Sequence, residues 1–381
     1  MQTIKLYESD AYLKEFDSEV ISCTANGKFF DVVLDKTAFF PEGGGQQADK
    51  GTINGIKVSD VQINDGVIIH KTKKAIEPGT AHCKLDWNTR FRRMQNHSGE
   101  HILSGIANSL YGCTNVGFHM SNEITVDFDI ELTAEQIELI EKKANQAIYE
   151  NVNIKAEFPP ADVLAALEYR SKLELTEDVR IVTIEGYDVC ACCAPHVSQS
   201  GEIGIIKVLS SMRHRGGTRL QILCGADAFE DYCTKAKNLY EIAVKLCAKH
   251  NHELDAFNKL CQENSELKQS YVTVNNELID IKISTSQKIN DITVYFEQSN
   301  DMQFVRNLAL ESSKKNCGIS VVFSGSNGNY KFAAASADVS VRDFGNNLRT
   351  AFSAKGGGSD ELIQGNISAT KDELIDFINK Q

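Results

Sequence analysis

The sequence predicts an α+β chain in four parts: a small N-terminal β-barrel, an α+β domain, a long helical linker and a C-terminal α/β domain. Three observations lead there. Short apolar runs divided by Gly, Asn and Asp occupy the first 85 residues, helical and strand patterns mix from there to residue 225, and no Gly or Pro interrupts Asp227 to Ser284. At 381 residues the chain also exceeds one ordinary core, because domains average roughly 150 residues. The expected boundaries are 1–87, 88–225, 226–284 and 285–381.

The N-terminal runs EVISCTANG, FFDVVLD, GTINGIKVSDVQIN and GVIIHKTKK read as strands separated by turns. From Asn88 to Leu110 the period becomes helical, with Phe91, Met94, His97, Ser98, His101, Ile102 and Gly105 along one side. ITVDFDI reads as a strand, and Thr133 with Gln136 three residues later has the spacing of a capping box, so a helix is expected after it. VRIVTI, IGIIKVLS and RLQILCG are further strands. Phe257, Leu260, Asn264, Leu267, Tyr271, Val274, Leu278 and Ile281 then alternate three and four apart, a heptad seam with one polar position. ITVYFEQ, GISVVFSG and YKFAAAS return to strands, and KDELIDFINK closes as a helix. No repeat of fixed period is present in the sequence.

A net charge of -12 argues against a protein that coats nucleic acid non-specifically, since that affinity comes from Lys and Arg neutralising phosphates. Local basic groups remain at Arg90, Arg92 and Arg93, and at Arg213, His214, Arg215 and Arg219. The N-terminus lacks a signal-peptide pattern and no apolar run is long enough to span a bilayer, so a cytoplasmic protein without membrane contact is expected. Eleven cysteines in such a chain are expected to be reduced, some in the core and some as ligands.

His97 and His101 stand four apart, which puts both imidazoles on one helix face within reach of one metal ion. Cys190, Cys192, Cys193 and His196 form the second half, on a loop because Pro195 opposes a regular helix. Two His from a helix with Cys and His from a loop make a four-donor N/S set suited to tetrahedral zinc.

These residues, with TAFFPEGGGQQADKG from Thr37, resemble the AlaX family of free-standing alanyl-tRNA editing proteins and the editing domain of alanyl-tRNA synthetase, from about Thr37 to Gly225. FSAKGGGSDELIQG resembles the glycine-rich motif of the synthetase's C-terminal domain, which long AlaX proteins share. The resemblance implies an editing domain with zinc on His97, His101, Cys192 and His196, with Cys190 and Cys193 as alternative sulfur donors. It implies hydrolysis, in trans, of the ester joining serine or glycine to the terminal ribose of the alanine tRNA.

Thr37 is expected to meet the serine hydroxyl, and His119 to position water or the ester. Gly43, Gly44, Gly45 and Gln46 are expected to meet the adenosine end of the tRNA. Lys355, Gly356, Gly357 and Gly358 are expected to hold the tRNA further out, and the helical segment with the C-terminal domain to join two copies into a homodimer. Two other classes fit the same residues: a tRNA-binding module stapled by zinc, and a deacylase for another mischarged tRNA.

Overall fold

The computed structural model describes residues 2–121, 123–171, 179–298, 301–326 and 328–381, and the chain divides into two compact units, Met1–Glu241 and Ile242–Gln381.

In the first unit the strands Glu15–Asn26, Phe29–Leu34, Val67–Thr72, Ile56–Asn64, Gly51–Ile53 and Gly79–Leu85 pair in that order, and the last returns to the first, closing the ring. The segment GTINGIKVSDVQIN, expected as one run, folds back on itself at Asn54–Gly55, where both residues take positive φ. Such a pair is the standard two-residue hairpin turn. Inside lie Val32, Leu34, Phe39, Phe40, Ile53, Val61, Ile68 and Ala81.

The helix Trp87–Tyr111 follows, capped by Asp86 at its start and by Gly112 in the left-handed region at its end. It is almost wholly buried although it carries Arg90, Arg93, Gln95, Asn96, His97, Ser98, Glu100, His101 and Ser104. Polar side chains are buried only where they find partners, so this helix holds the polar groups that organise the unit. A four-stranded sheet, in the order Ile206–His214, Gly217–Cys224, Ile124–Phe128, Asn115–Met120, packs with it, as does the helix Ala134–Glu150 with its Thr133–Gln136 capping box. A three-stranded sheet of Ile154–Glu157, Ile181–Ile184 and Asp188–Ala191 completes the unit.

Most of the arginines of the two basic groups have acidic partners within the chain. Arg90 and Arg93 are buried around Asp49, Arg92 pairs with Asp227 and Glu230, and Arg213 and Arg219 pair with Glu131 and Asp127. The helical segment expected over 226–284, as a hairpin or a coiled coil, forms two helices, Gly225–Lys245 and Glu253–Ser284. Cys247 and Asn251 between them take positive φ, a conformation that Asn tolerates better than most residues, so the break needs neither Gly nor Pro.

In the second unit six strands run in the order Lys288–Ile289, Ile292–Glu297, Ile319–Ser326, Asn329–Ala335, Leu362–Ile367, Lys355–Gly358. Helices Met302–Asn316, Arg342–Phe352 and Lys371–Ile378 pack with this sheet. The seam residues Phe257, Leu260, Leu267, Tyr271, Val274, Leu278 and Ile281 are exposed on their helix.

Candidate metal centre

His97 and His101 occupy successive turns of the buried helix, and their rings stack with centroids 5.4 Å apart. His196 approaches both at 4.8 Å between centroids. Cys192 follows the strand Asp188–Ala191, and its loop is pinned by Arg180, whose Nη1 donates to the carbonyls of Cys192 (3.0 Å) and Ala194 (2.8 Å). The Cys192 Sγ lies 3.5 Å from His97 Nε2 and 3.4 Å from His196 Nε2. Ligand atoms of all four residues fall within 4.8 Å of one another.

Each imidazole is oriented through its other nitrogen. His97 Nδ1 donates to Gln46 Oε1 (2.9 Å), His101 Nδ1 to Asp188 Oδ2 (2.9 Å), and His196 Nδ1 is hydrogen-bonded with Ser98 Oγ (3.2 Å). Holding the proton on Nδ1 leaves a lone pair on Nε2, the arrangement metal-ligating histidines use. Asp188 is itself gripped by Arg170 through bonds of 2.7 and 2.8 Å.

The charges agree with this geometry. Burial opposes ionisation of Cys192, yet the fields of His97 and His196 and a hydrogen bond from His101 hold its thiol well below the ordinary range. Burial drives His196 down to about 3, against the pull of Cys192. Cys193 is pushed the other way, up to about 11, by burial and by the neighbouring Cys192. Of the three candidate sulfurs, Cys192 therefore joins all three imidazoles, while Cys190 groups only with His101 and Asp188.

Replacing Asp188 by Ala removes the acceptor that fixes His101, and metal affinity is expected to fall roughly 10- to 100-fold. Competition with a chromogenic chelator measures this. Unchanged affinity would show that the Asp188 contact does not orient the ligand.

Three of the four donors, His97, His101 and Cys192, line a cleft of about 870 Å³, with Glu8, Gly44, Glu100, Phe118, Arg170 and Arg180 among its other walls. The glycine motif reaches this cleft, but the three glycines do different things. Gly44 faces Cys193 with ordinary van der Waals room, whereas a Cβ on Gly45 would stand 2.2 Å from the Phe118 carbonyl oxygen. Gly45 also sits at φ +83 and accepts from Met120 N at 2.8 Å. The close visitor at Gly45 is thus the chain's own strand. Gly43 closes the turn with two backbone bonds to Gln46.

Two expected site residues are not brought to the cleft. Thr37 is fully buried, donating to His70 Nε2 at 2.9 Å and accepting from Phe39 N at 3.1 Å, so its hydroxyl is spent inside the N-terminal ring. His119 is exposed on the strand Asn115–Met120, where alternation turns it away from the face on which Phe118 meets His97. Asp188, Ser98, Arg170 and Glu100 were not among the expected residues. A period of two from Asp188 through Cys190 to Cys192 was the available signal for the first of them.

In the second unit Gly356 and Gly358 are also approached by protein: an added Cβ would lie 2.1 Å from the Gln364 oxygen and 2.0 Å from that of Leu362. Only Gly357 of the three meets open space. With Arg342, Asn346 and Arg349 they line a small polar cleft of about 180 Å³.

Comparison with known proteins agrees with the architecture of the first unit. A family described as the threonyl and alanyl tRNA synthetase second additional domain matches residues 179–220, and one described as class II (A) tRNA synthetases matches residues 6–89. The alanine–tRNA ligase of Ignicoccus hospitalis is 31% identical over 76% of this chain, which spans only 33% of that enzyme. The alanyl-tRNA editing protein AlaX-L of Pyrococcus horikoshii is 28% identical, with 98% of this chain and 96% of the relative aligned. Aarsd1-A of Xenopus laevis, an alanyl-tRNA editing protein, is 31% identical over 74% of this chain and 72% of its own. The chain therefore belongs to the alanyl-tRNA editing proteins, a family of aminoacyl-tRNA deacylases.

Proposed function

We propose that this chain hydrolyses, in trans, the ester of seryl- and glycyl-tRNA(Ala), with one zinc ion held by His97, His101, Cys192 and His196. The observation that carries the reading is the convergence of three Nε2 atoms on one thiolate at the wall of a cleft. The donor set fits zinc: tetrahedral bonds of roughly 2.0 Å to nitrogen and 2.3 Å to sulfur separate N and S by about 3.5 Å, close to the 3.4 and 3.5 Å observed. Zinc bound there would supply the positive charge that polarises an ester carbonyl.

The chain's own part is to bind, orient and shelter. A cleft of about 870 Å³ is within the roughly 300–1,000 Å³ range of small-ligand sites and suits an aminoacyl-adenosine end. Gly44, lacking a side chain, keeps the rim beside Cys193 open to the ribose. Gln46, Asp188 and Ser98 prevent the imidazoles from turning. Selection of serine over alanine is assigned to polar groups lining the cleft and not to Thr37, whose hydroxyl already has its partners.

The open Gly357 and Arg349 of the small cleft, with Lys355 at the start of the same strand, serve in this reading as a phosphate contact for the body of the tRNA, setting position and not sequence. The exposed heptad seam supports pairing of two copies in the cytoplasm, which sedimentation measures directly.

The test is to incubate the zinc-loaded protein with alanine tRNA charged separately with serine, glycine and alanine. Loss of the first two with alanine spared is expected. Tight binding without hydrolysis of any of them would favour a zinc-stapled binding module, and hydrolysis confined to a different tRNA would reassign the substrate.

A further inference from the structure

Glu100 has no role in the centre described above. It lies three residues after His97 and one before His101, so all three line the same cleft. Its side chain is buried, at 4% exposure. One carboxylate oxygen, Oε1, accepts from Ser104 Oγ and from Asn115 Nδ2. The second oxygen has no hydrogen-bond donor among the described residues, and no Lys, Arg or His forms an ion pair with Glu100. The neighbouring carboxylates are occupied. Glu8 pairs with Lys5, while Asp188 holds both His101 and Arg170.

A buried carboxylate without a cation is costly, and such groups are normally paired. Arg170 lines the same cleft and acts on Glu100 through its field, but its two bonds go to Asp188. A cation bonded directly to Glu100 is left to what enters the cleft. On the reading above, on which this step rests, the entering group is an aminoacyl ester, whose α-amino group sits one carbon from the ester carbonyl. With a pKa of roughly 8, that amino group carries a positive charge at neutral pH.

We propose that Glu100 is the anchor for the α-ammonium group of the bound aminoacyl ester. Ser104 and Asn115 hold Oε1, which fixes the carboxylate and leaves the other oxygen directed to the ligand. A free α-amino group becomes a requirement for binding, so that N-blocked aminoacyl-tRNA and peptidyl-tRNA are rejected by the same contact that accepts the free aminoacyl ester. This selectivity is independent of the side chain that distinguishes serine from alanine.

Two non-hydrolysable probes test it: 3′-deoxy-3′-(L-serylamino)adenosine and its counterpart lacking the α-amino group, titrated by calorimetry into the zinc-loaded protein. The wild-type chain is expected to bind the amine-bearing probe roughly 10- to 100-fold more tightly, the effect of a hydrogen bond to a charged group. Glu100→Gln retains an oxygen for Ser104 and Asn115 but loses the charge, and it is expected to bind both probes alike with zinc content unchanged. Glu100→Asp, which withdraws the carboxylate while keeping its charge, should give an intermediate preference and covers the case in which the glutamine variant misfolds. A preference unchanged in folded, zinc-loaded Glu100→Gln, or absent from the wild type, overturns the proposal. Failure of both probes to bind the wild type would instead overturn the cleft as an aminoacyl-adenosine site, and the Glu100 assignment with it.

Discussion

Replacing Cys192 by alanine is expected to abolish deacylation, by roughly 10³-fold or more, and to release the metal. The size follows from what is lost. Metal polarisation of a carbonyl is worth several kcal/mol, and each 1.4 kcal/mol is about a factor of ten in rate. Cys192 is the one sulfur that meets His97, His101 and His196 together. Its removal leaves three imidazoles aimed at a point without the anionic donor that neutralises the ion. His101→Ala should behave similarly, since it also releases Asp188 and Arg170 from their common arrangement. Cys193→Ala is the informative control: its sulfur lies outside the cluster, so metal content is expected to persist. Metal analysis of each purified variant, beside its deacylation rate, decides the matter. A Cys192→Ala chain that keeps both its metal and its rate would contradict the assignment.

The second large effect is on stability. Asp49→Ala is expected to cost about 3–5 kcal/mol, the usual result of stripping one partner from a buried ion pair. Asp49 and Arg90 are both fully buried at the side chain. Asp49 Oδ2 accepts from Phe40 N at 2.7 Å and from Arg90 Nε at 2.9 Å. Arg90 in turn donates to the carbonyls of Ala11 and Ala38, and Arg93 donates to that of Ala48. One carboxylate thus ties the segment after the glycine turn to the helix that carries His97 and His101. Without it, a guanidinium stays buried and unneutralised, and the Gln46 contact to His97 loses its support. Urea unfolding measures the loss. A shift below about 1 kcal/mol would mean that water or neighbouring carbonyls compensate the arginine, in which case the pair is dispensable for stability.

The pattern of residues made some of this site legible and hid the rest. His97 and His101 were readable because a four-residue spacing fixes two side chains on one helix face whatever surrounds them. Thr133 was readable because capping chemistry is local. Gln46 stands out in the sequence by its place beside three glycines, but nothing in the local sequence reveals that His97 Nδ1 lies 2.9 Å from its oxygen. The arginines at 90 and 93 looked like surface charge for the same reason: their partner, Asp49, is more than forty residues away. Thr37 and His119 show the converse. Each is a chemically suitable residue near the motif, but one points into the N-terminal core and the other to the outer face of a strand. The position of the break between Lys245 and Glu253 is not marked by Gly or Pro, because Asn251 and Cys247 adopt the left-handed conformation there.

Zinc K-edge X-ray absorption on the purified full chain tests the central claim most directly. One zinc per chain with three nitrogen neighbours at about 2.0 Å and one sulfur at about 2.3 Å is the predicted first shell. A shell without sulfur, or one with two sulfurs, would show that Cys192 and the three histidines do not share one ion.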